Sequence, residues 1–304
     1  MSSAHRSLDA SCAAVRADLD EPLYASAPEL ASSWLLVEHP GPWPSSGLPQ
    51  DFPGPARDVL EAATEAGVRP QLIRRLVDRR RPAATVVLAS CRPGRTWTER
   101  RTLTDLRALT DLDIPALADG TPPGFGTRAS EPVVLVCTHG RRDVCCARLG
   151  RPLAVLLDAQ LPGQVWETNH VGGDRFAPNV VALPDGTYHG GLSPTDVPEL
   201  AEALAGGRVL LRRLRGRAGL PSAVQAADYF VREHLQEAAV HAVRPVSSAP
   251  FAAMGTCVEL LVGTRWCVHV RTRPGTAARL TSCAGGGTVG TPDVYELVGL
   301  RRLT

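Results

Sequence analysis

Three cysteines lie close together in residues 137–146. Cys137 ends an apolar run typical of a β-strand, and Cys145 and Cys146 open an apolar stretch typical of a helix. Loops at strand ends are open to ligands, and a helix N-terminus lowers the pKa of a thiol and favours negative charge. Thiolates in such a place bind metals or take part in redox chemistry, so the segment predicts one of these two functions.

The two neighbouring cysteines of this segment cannot both face the same point. Consecutive residues of an α-helix point about 100° apart. One of Cys145 and Cys146 can therefore share a site with Cys137 while the other turns toward the core. Helical geometry alone leaves both choices open.

A second candidate segment follows a predicted strand further along the chain. It contains His170, Gly172, Gly173 and Asp174 in a His-x-Gly-Gly-Asp pattern. The two glycines permit a tight backbone path that leaves room for a bulky inorganic group. Taken alone, the pattern equally fits a histidine that is hydrogen-bonded in a glycine turn.

Together the two segments resemble the sucrase/ferredoxin-like family, whose members carry a thioredoxin-like ferredoxin domain. The family pattern is Cys-x8-Cys with Arg-Asp in the spacer, then His-x-Gly-Gly-His and an Arg/Lys-Phe-Ala tripeptide. The matching residues here are Cys137, Arg142, Asp143, Cys146, His170, Gly172, Gly173, Arg175, Phe176 and Ala177. The resemblance extends to residues 34–40 and covers roughly residues 30–215.

This resemblance implies a [2Fe-2S] cluster with two cysteines on one iron and two histidines on the other. It makes Cys146 the second thiolate. Asp174 stands where the family has its second histidine. The predicted cofactor and metal ligands are therefore Cys137, Cys146, His170 and Asp174.

The aspartate leaves three outcomes open. Asp174 can itself be a ligand, and its negative charge would then lower the reduction potential relative to a two-histidine site. A spare cysteine can take the fourth place instead, or the cluster can be lost while the fold is kept. The candidate spare cysteines are Cys145, Cys91, Cys257 and Cys283.

Other chemistries are less well supported by the residues present. Zinc accepts the same ligands, but its structural sites favour Cys-x2-4-Cys spacing. A thiol oxidoreductase with Cys137 as nucleophile would lack the usual Cys-x-x-Cys. The carboxylates are dispersed, so no acid/base pair of a sugar hydrolase is evident. The glycine-rich residues 284–290 lack the lysine of a phosphate loop and are interpreted as a flexible hairpin loop.

Composition narrows the class of protein. The 304 residues carry 33 basic and 31 acidic side chains, and 5% are aromatic, which disfavours nucleic-acid binding. Without an apolar leader or span, we expect a cytoplasmic protein that has reduced cysteines and does not bind membranes. Arginine runs at residues 74–75, 79–81 and 212–217 could attract an acidic redox partner, although solvated surfaces are the simpler interpretation.

Apolar periodicity predicts an α/β fold with three parts after an N-terminal extension at residues 1–26. Residues 27–127 form an α/β domain that could itself be thioredoxin-like. Residues 128–215 form the central thioredoxin-like [2Fe-2S] ferredoxin domain, and residues 216–304 form a small α+β domain.

Individual elements follow from the same patterns. The predicted strands cover residues 33–38, 84–89, 132–136, 164–168, 179–183, 257–262, 266–270, 280–284 and 294–298. The predicted helices cover residues 56–66, 103–109, 144–157, 197–204 and 223–235. The hairpin at 257–270 and a strand pair formed by 280–284 and 294–298 are expected to build one small antiparallel sheet.

These observations favour an electron carrier over an enzyme. The alternative is a thioredoxin-like thiol-redox or binding protein that has lost its cluster.

Overall fold

The structure is a computed structural model that describes residues 11–30, 32–77, 82–251, 253 and 255–303. Its helices are α1 (Cys12–Asp18), α2 (Gly54–Glu65), α3 (Ile114–Asp119), α4 (Val144–Gln160), α5 (Val197–Ala205) and α6 (Ser222–Leu235). Its strands are β1 (Ser33–Glu38), β2 (Val68–Arg74), β3 (Ala84–Ser90), β4 (Trp97–Leu103), β5 (Thr127–Ala129), β6 (Val133–Cys137), β7 (Val165–Thr168), β8 (Val180–Leu183), β9 (Thr187–His189), β10 (Leu214–Arg217), β11 (Arg244–Phe251), β12 (Gly255–Val262), β13 (Thr264–Arg273), β14 (Arg279–Ser282), β15 (Thr288–Gly290) and β16 (Val294–Arg302).

A single mixed sheet runs through the first two predicted domains. Its strand order is β10-β9-β8-β6-β7-β2-β1-β3-β4-β5. The two halves meet where β2 pairs antiparallel with β7, with Ile73 opposite Thr168 and Arg74 opposite Glu167. The predicted α/β class is confirmed. The division at residues 26, 127 and 215 into separable units stays a prediction.

The central strands are buried on both faces, which explains their apolar sequences. In β1 every residue is buried. Trp34 and Leu36 join one apolar cluster, whereas Leu35 and Val37 join another on the opposite face. This alternation follows from the two-residue period of a strand. The first of these clusters contains Cys137, so the sheet interior supports the predicted site.

Several elements of the first half differ from the predictions, among them two strands and one helix. β2 and β4 were not predicted, because β2 contains Pro70 and β4 carries charged residues in its middle. The helix expected at 103–109 is a 3-10 helix over Leu106–Asp111 instead. Leu103 ends β4 and packs in the core beside Leu109. At these positions, pairing with neighbouring strands and packing in the core decide the secondary structure, because the local sequence preference is weak.

The C-terminal part contains the predicted hairpin but a different strand pairing. β12 and β13 turn at Gly263, whose φ of 65° suits a tight turn, in the sheet β11-β12-β13-β16. The prediction that residues 280–284 pair with 294–298 is wrong. β14 pairs with β15 and β16 pairs with β13. The glycine-rich loop itself supplies β15, a pairing that its composition conceals.

Helix α1 and strand β14 both pack on the loop that follows β7. Helix α1 packs against β14 and against the 3-10 helix Asp174–Phe176. Glu21 accepts hydrogen bonds from Arg175 and Arg279, each at 2.9 Å, and so joins the central loop to the C-terminal hairpin. In the part of the chain described, no helix is long and apolar enough to span a bilayer.

Candidate metal centre

The four predicted ligands come from two loops at one edge of the sheet. Cys137 ends β6, and Cys146 lies in the first turn of α4. His170 and Asp174 follow β7, which pairs parallel with β6 and sets Cys137 opposite Thr168. Because parallel neighbours end at the same edge, segments distant in sequence converge there.

The start of α4 is fixed by two contacts. The Asp143 side chain caps the helix, since its Oδ1 accepts a hydrogen bond from the backbone N–H of Cys145 at 2.8 Å. One face of the helix then lies directly on the end of β6. A Cβ at Gly150 would overlap the carbonyl oxygen of Cys137, so glycine allows this close approach.

Three of the predicted ligands form a compact group. The sulfurs of Cys137 and Cys146 and one ring nitrogen of His170 lie within 4.8 Å of one another. The fourth, Asp174, touches this group from one side. Its Oδ1 is 3.1 Å from Nδ1 of His170 and 3.6 Å from Sγ of Cys146. The structure therefore brings all four residues together, and their role as ligands stays a prediction.

The donor set suits iron. Two sulfurs, an imidazole and a carboxylate are ligands that iron accepts in proteins. Cys137 and Cys146 are 0% and 1% exposed, so water does not solvate the sulfurs. Nδ1 of His170 is buried and makes no well-directed hydrogen bond, although Oδ1 of Asp174 is near in distance. A buried ring nitrogen that makes no well-directed hydrogen bond and lies beside two buried thiols and a carboxylate is a suitable metal donor, so the residues fit the group.

The electrostatics of the four side chains are strongly coupled. The hydrogen bond from Cys146 lowers the pKa of the Cys137 thiol, His170 lowers it further, and burial opposes both. Cys137 in turn raises the pKa of Cys146, and burial adds to that. Burial alone would lower the pKa of His170, but Asp174 and Cys137 outweigh it and raise this pKa to about 9. Burial would raise the pKa of Asp174, yet His170 lowers it overall. These shifts favour the charged forms of Cys137, His170 and Asp174 and the neutral thiol of Cys146.

The glycines of the second loop have a specific role. Gly172 and Gly173 have φ values of 93° and 78°, which side chains rarely adopt. A Cβ at Gly173 would overlap the guanidinium of Arg215. The predicted tight backbone path therefore exists, and the space beside Gly173 is filled by an arginine.

Arg215 holds this loop from the inside. Its side chain is fully buried, and its Nη1 donates to the carbonyl of Gly172 at 3.0 Å and to Oδ1 of Asn179 at 2.7 Å. Asn179 in turn donates to the carbonyl of Gly173 at 2.9 Å. Burial lowers the pKa of Arg215 to about 9. Its place in a run of arginines predicts a solvated side chain, and no local sequence signal indicates that Arg215 is buried.

His139 holds the backbone of the predicted ligand His170 in place. Its Nδ1 accepts a hydrogen bond from the backbone N–H of His170 at 3.2 Å, and its Nε2 lies 2.8 Å from the carbonyl oxygen of Pro44. Burial is the largest influence on the His139 pKa and lowers it. A neutral ring can accept from one side and donate to the other, which matches both contacts.

The spare cysteines lie in other places. Cys145 faces a second group that includes Cys12, Asp143 and Cys283. Cys257 lies with Cys267 and His269 on the C-terminal sheet. Cys91 is buried beside Gly186 and Ala218. Among the residues described, no spare cysteine belongs to the group of Cys137, Cys146 and His170.

The predicted arginine runs are largely engaged within the chain. Arg74 is paired with Glu167 at 2.9 Å, and Arg212 with Asp196 at 3.0 Å. Arg217 is buried like Arg215. Arg79, Arg80 and Arg81 lie outside the described residues. Exposed basic residues near the site are Arg141 and Arg142, on the loop that joins Cys137 to α4.

A groove opens beside His170. It has a volume of about 780 Å³ and is lined by apolar and polar side chains that include Leu48, Leu60, Arg69 and Asn169. The His170 side chain is 26% exposed, whereas the two sulfurs are enclosed. The imidazole is therefore the edge of the site that an approaching molecule meets.

Comparisons with known proteins agree with the motifs. The sequence model of the sucrase/ferredoxin-like family matches residues 23–216. Altered inheritance of mitochondria protein 32 from Meyerozyma guilliermondii is 31% identical over 93 residues, which are 27% of this chain and 33% of that protein. The chain thus matches about a third of the length of this curated relative. A thioredoxin-like [2Fe-2S] ferredoxin from Aquifex aeolicus aligns with 31% of this chain and 97% of its own at 26% identity, with a TM-score of 0.27.

Proposed function

Since the chain belongs to the sucrase/ferredoxin-like family, we propose that it holds a [2Fe-2S] cluster in a thioredoxin-like ferredoxin domain and carries single electrons. One observation carries the proposal. Two buried sulfurs, a ring nitrogen and a carboxylate from two separate loops converge at one edge of the sheet. A bound cluster of this type takes up and releases one electron at a time.

Each ligand has a proposed place. Cys137 and Cys146 bind one iron, and His170 and Asp174 bind the other. Asp174 lies 3.1 Å from the imidazole and 3.6 Å from the Cys146 sulfur, so its carboxylate is next to two of the other proposed ligands. Arg215 and Asn179 hold the loop that carries both residues.

His170 is the proposed contact with a redox partner. It is the ligand that reaches the groove, while the two sulfurs are shielded. The exposed Arg141 and Arg142 give the adjoining loop a positive charge. An acidic partner protein would be attracted to this face, and salt would weaken the attraction.

Burial of the sulfurs disfavours the alternative of a thiol oxidoreductase. A nucleophilic thiolate must be reached by its substrate, yet Cys137 and Cys146 are almost fully enclosed. The eight cysteines are free, which supports our proposal of a reducing, cytoplasmic location.

Iron and acid-labile sulfide analysis tests the proposal. The full chain is purified without oxygen, and its visible spectrum is recorded for wild type, Asp174→Ala and the surface control Asp58→Ala. We expect about two irons and two sulfides in wild type and in the control. Asp174→Ala should lose the cluster or shift its spectrum. Wild type that stays colourless after anaerobic reconstitution would overturn the proposal.

A further inference from the structure

A second group of metal-ligating side chains lies on the other side of the Cys145–Cys146 pair. Sγ of Cys145 is 3.6 Å from Sγ of Cys12 and 3.7 Å from Sγ of Cys283. Oδ2 of Asp143 is 3.9 Å from the Cys12 sulfur. The side chains of Cys12, Asp143 and Cys145 are buried.

These separations match a tetrahedral metal site. With zinc–sulfur bonds of about 2.3 Å, two sulfurs of a tetrahedron lie roughly 3.8 Å apart. The observed sulfur separations are within about 0.2 Å of that value. A disulfide would need about 2.05 Å and would join only two of the three sulfurs.

The charge of the group is also compatible with a bound cation. Asp143 is 1% exposed, and no arginine or histidine in the described part of the chain forms an ion pair with it. Its carboxylate is held by N–H groups, from Cys145 to Oδ1 and from Cys283 to Oδ2 at 2.6 Å. These donors are uncharged, so a cation bound beside the three thiols would add a favourable charge interaction with Asp143.

Oδ2 of Asp143 keeps a lone pair that can bind that cation. Ser282 Oγ lies 3.0 Å from Oδ2 of Asp143 and 2.7 Å from Oδ2 of Asp174. A hydroxyl has a single proton to donate. When Ser282 donates it to Asp174, the nearer acceptor, the second lone pair of Asp143 Oδ2 is left for a metal.

We propose that Cys12, Cys145, Cys283 and Asp143 bind one zinc ion, in a closed structural site separate from the iron centre. Cys12 and Cys283 lie outside residues 23–216, so the site is no part of the matched family pattern. Three thiolates and one carboxylate form a complete tetrahedral set for zinc, which leaves no coordination position open for substrate.

The zinc site links helix α1 to strand β14 beside the iron centre. Cys12 belongs to α1, and Cys283 follows β14. Both elements pack against the 3-10 helix that begins with Asp174. Loss of zinc should therefore loosen the cover of the iron centre without removing any of its ligands.

Matched serine variants of adjacent cysteines test this proposal. Zinc, iron and sulfide are measured on the full chain of wild type, Cys145→Ser and Cys146→Ser, purified without oxygen or chelator. We expect about one zinc per chain in wild type. Cys145→Ser should lose at least nine-tenths of the zinc and keep the iron, and Cys146→Ser should do the reverse.

Other outcomes overturn the assignment and do so independently of the proposed cluster. Zinc that persists in Cys145→Ser, or disappears in Cys146→Ser, would place the ion elsewhere. Wild type that takes up no zinc from an equimolar supply under reducing conditions would exclude the site. If Cys145→Ser does not fold, Cys12→Ser serves instead, with cobalt substitution as readout: the sulfur-to-cobalt absorption of wild type must weaken in the variant.

Discussion

Cys145 and Cys146 are consecutive residues whose sulfur atoms lie in two different groups of metal-ligating side chains. The Cys145 sulfur is 3.6 Å from that of Cys12, whereas the Cys146 sulfur is 3.6 Å from Oδ1 of Asp174. The angle of about 100° between adjacent helical positions produces this separation. A single turn of α4 therefore contributes one cysteine to each of two separate groups of side chains.

Replacing the aspartate by the histidine of the family pattern should raise the reduction potential. Asp174→His exchanges an anionic ligand for a neutral one, which stabilises the reduced cluster. We expect the midpoint to rise by on the order of 100 mV, measured by potentiometric titration. Glu29→Gln, on the surface, is the control. An unchanged midpoint in Asp174→His would contradict ligation by Asp174.

The midpoint potential should depend on pH over one window. Reduction makes the cluster more negative and raises the pKa of a ligating imidazole, which couples one proton to one electron. With one histidine ligand, the potential should fall by about 59 mV per pH unit across a single range near neutral pH. Protein-film voltammetry from acid to alkaline pH measures this. A flat profile would speak against His170 as ligand.

The metal-free protein should lose stability as the pH rises above neutral. Despite its burial, His170 has a pKa raised from 6.5 to about 9 by Asp174 and Cys137. The protonated His170 side chain contributes to the free energy of unfolding. This contribution is fully present below pH 6.5 and is lost as the pH rises through about 9. We expect a loss of roughly 1–3 kcal/mol in the free energy of unfolding.

Urea titrations at several pH values measure that loss. The variant His170→Asn should show a flatter profile between neutral pH and pH 9. If the unfolding free energy of His170→Asn falls with pH as steeply as that of wild type, another group causes the loss of stability.

Replacement of Arg215, which supports the loop but is not a proposed ligand, should lower the stability and the iron content of the protein. The buried guanidinium donates hydrogen bonds to the carbonyl of Gly172 and to Oδ1 of Asn179, and Arg215→Leu removes both bonds. We expect a destabilisation of roughly 2–4 kcal/mol and reduced iron content. The exposed Arg208→Leu is the matched control. Normal iron content and stability in Arg215→Leu would show that the loop does not need this support.

The loop arginines should speed electron transfer to anions. Reduced wild type should react faster with ferricyanide than the double variant Arg141→Ser, Arg142→Ser, and added salt should narrow the difference. The rate with an uncharged quinone should be similar for both proteins. Equal rates with ferricyanide at low salt would exclude steering by this loop.

Most elements of the fold could be predicted, because apolar periodicity reports burial directly. The strands that contain Trp34 and Cys137 were found in this way, and so was α4. β2 could not be predicted, because Pro70 interrupts its apolar pattern. The pairing of β14 with β15 depends on tertiary contacts. Periodicity carries no information on which strands become neighbours.

The site was predictable only where short motifs encode it. Cys137, Cys146, His170 and Asp174 were named from their spacing and from a family resemblance, and they lie together. Cys12 and Cys283 were scattered cysteines in the sequence. Their approach to Cys145 needs the chain ends to fold back over the centre, which local patterns do not specify.

Pulsed electron paramagnetic resonance of the reduced protein tests the central claim most directly. Nitrogen bound to iron couples to the unpaired electron, so the spectrum counts the histidine ligands. We predict one strongly coupled nitrogen in wild type and two in Asp174→His. A reduced protein without a cluster signal, or a wild-type signal with no coupled nitrogen or with two, would contradict ligation by Cys137, Cys146, His170 and Asp174.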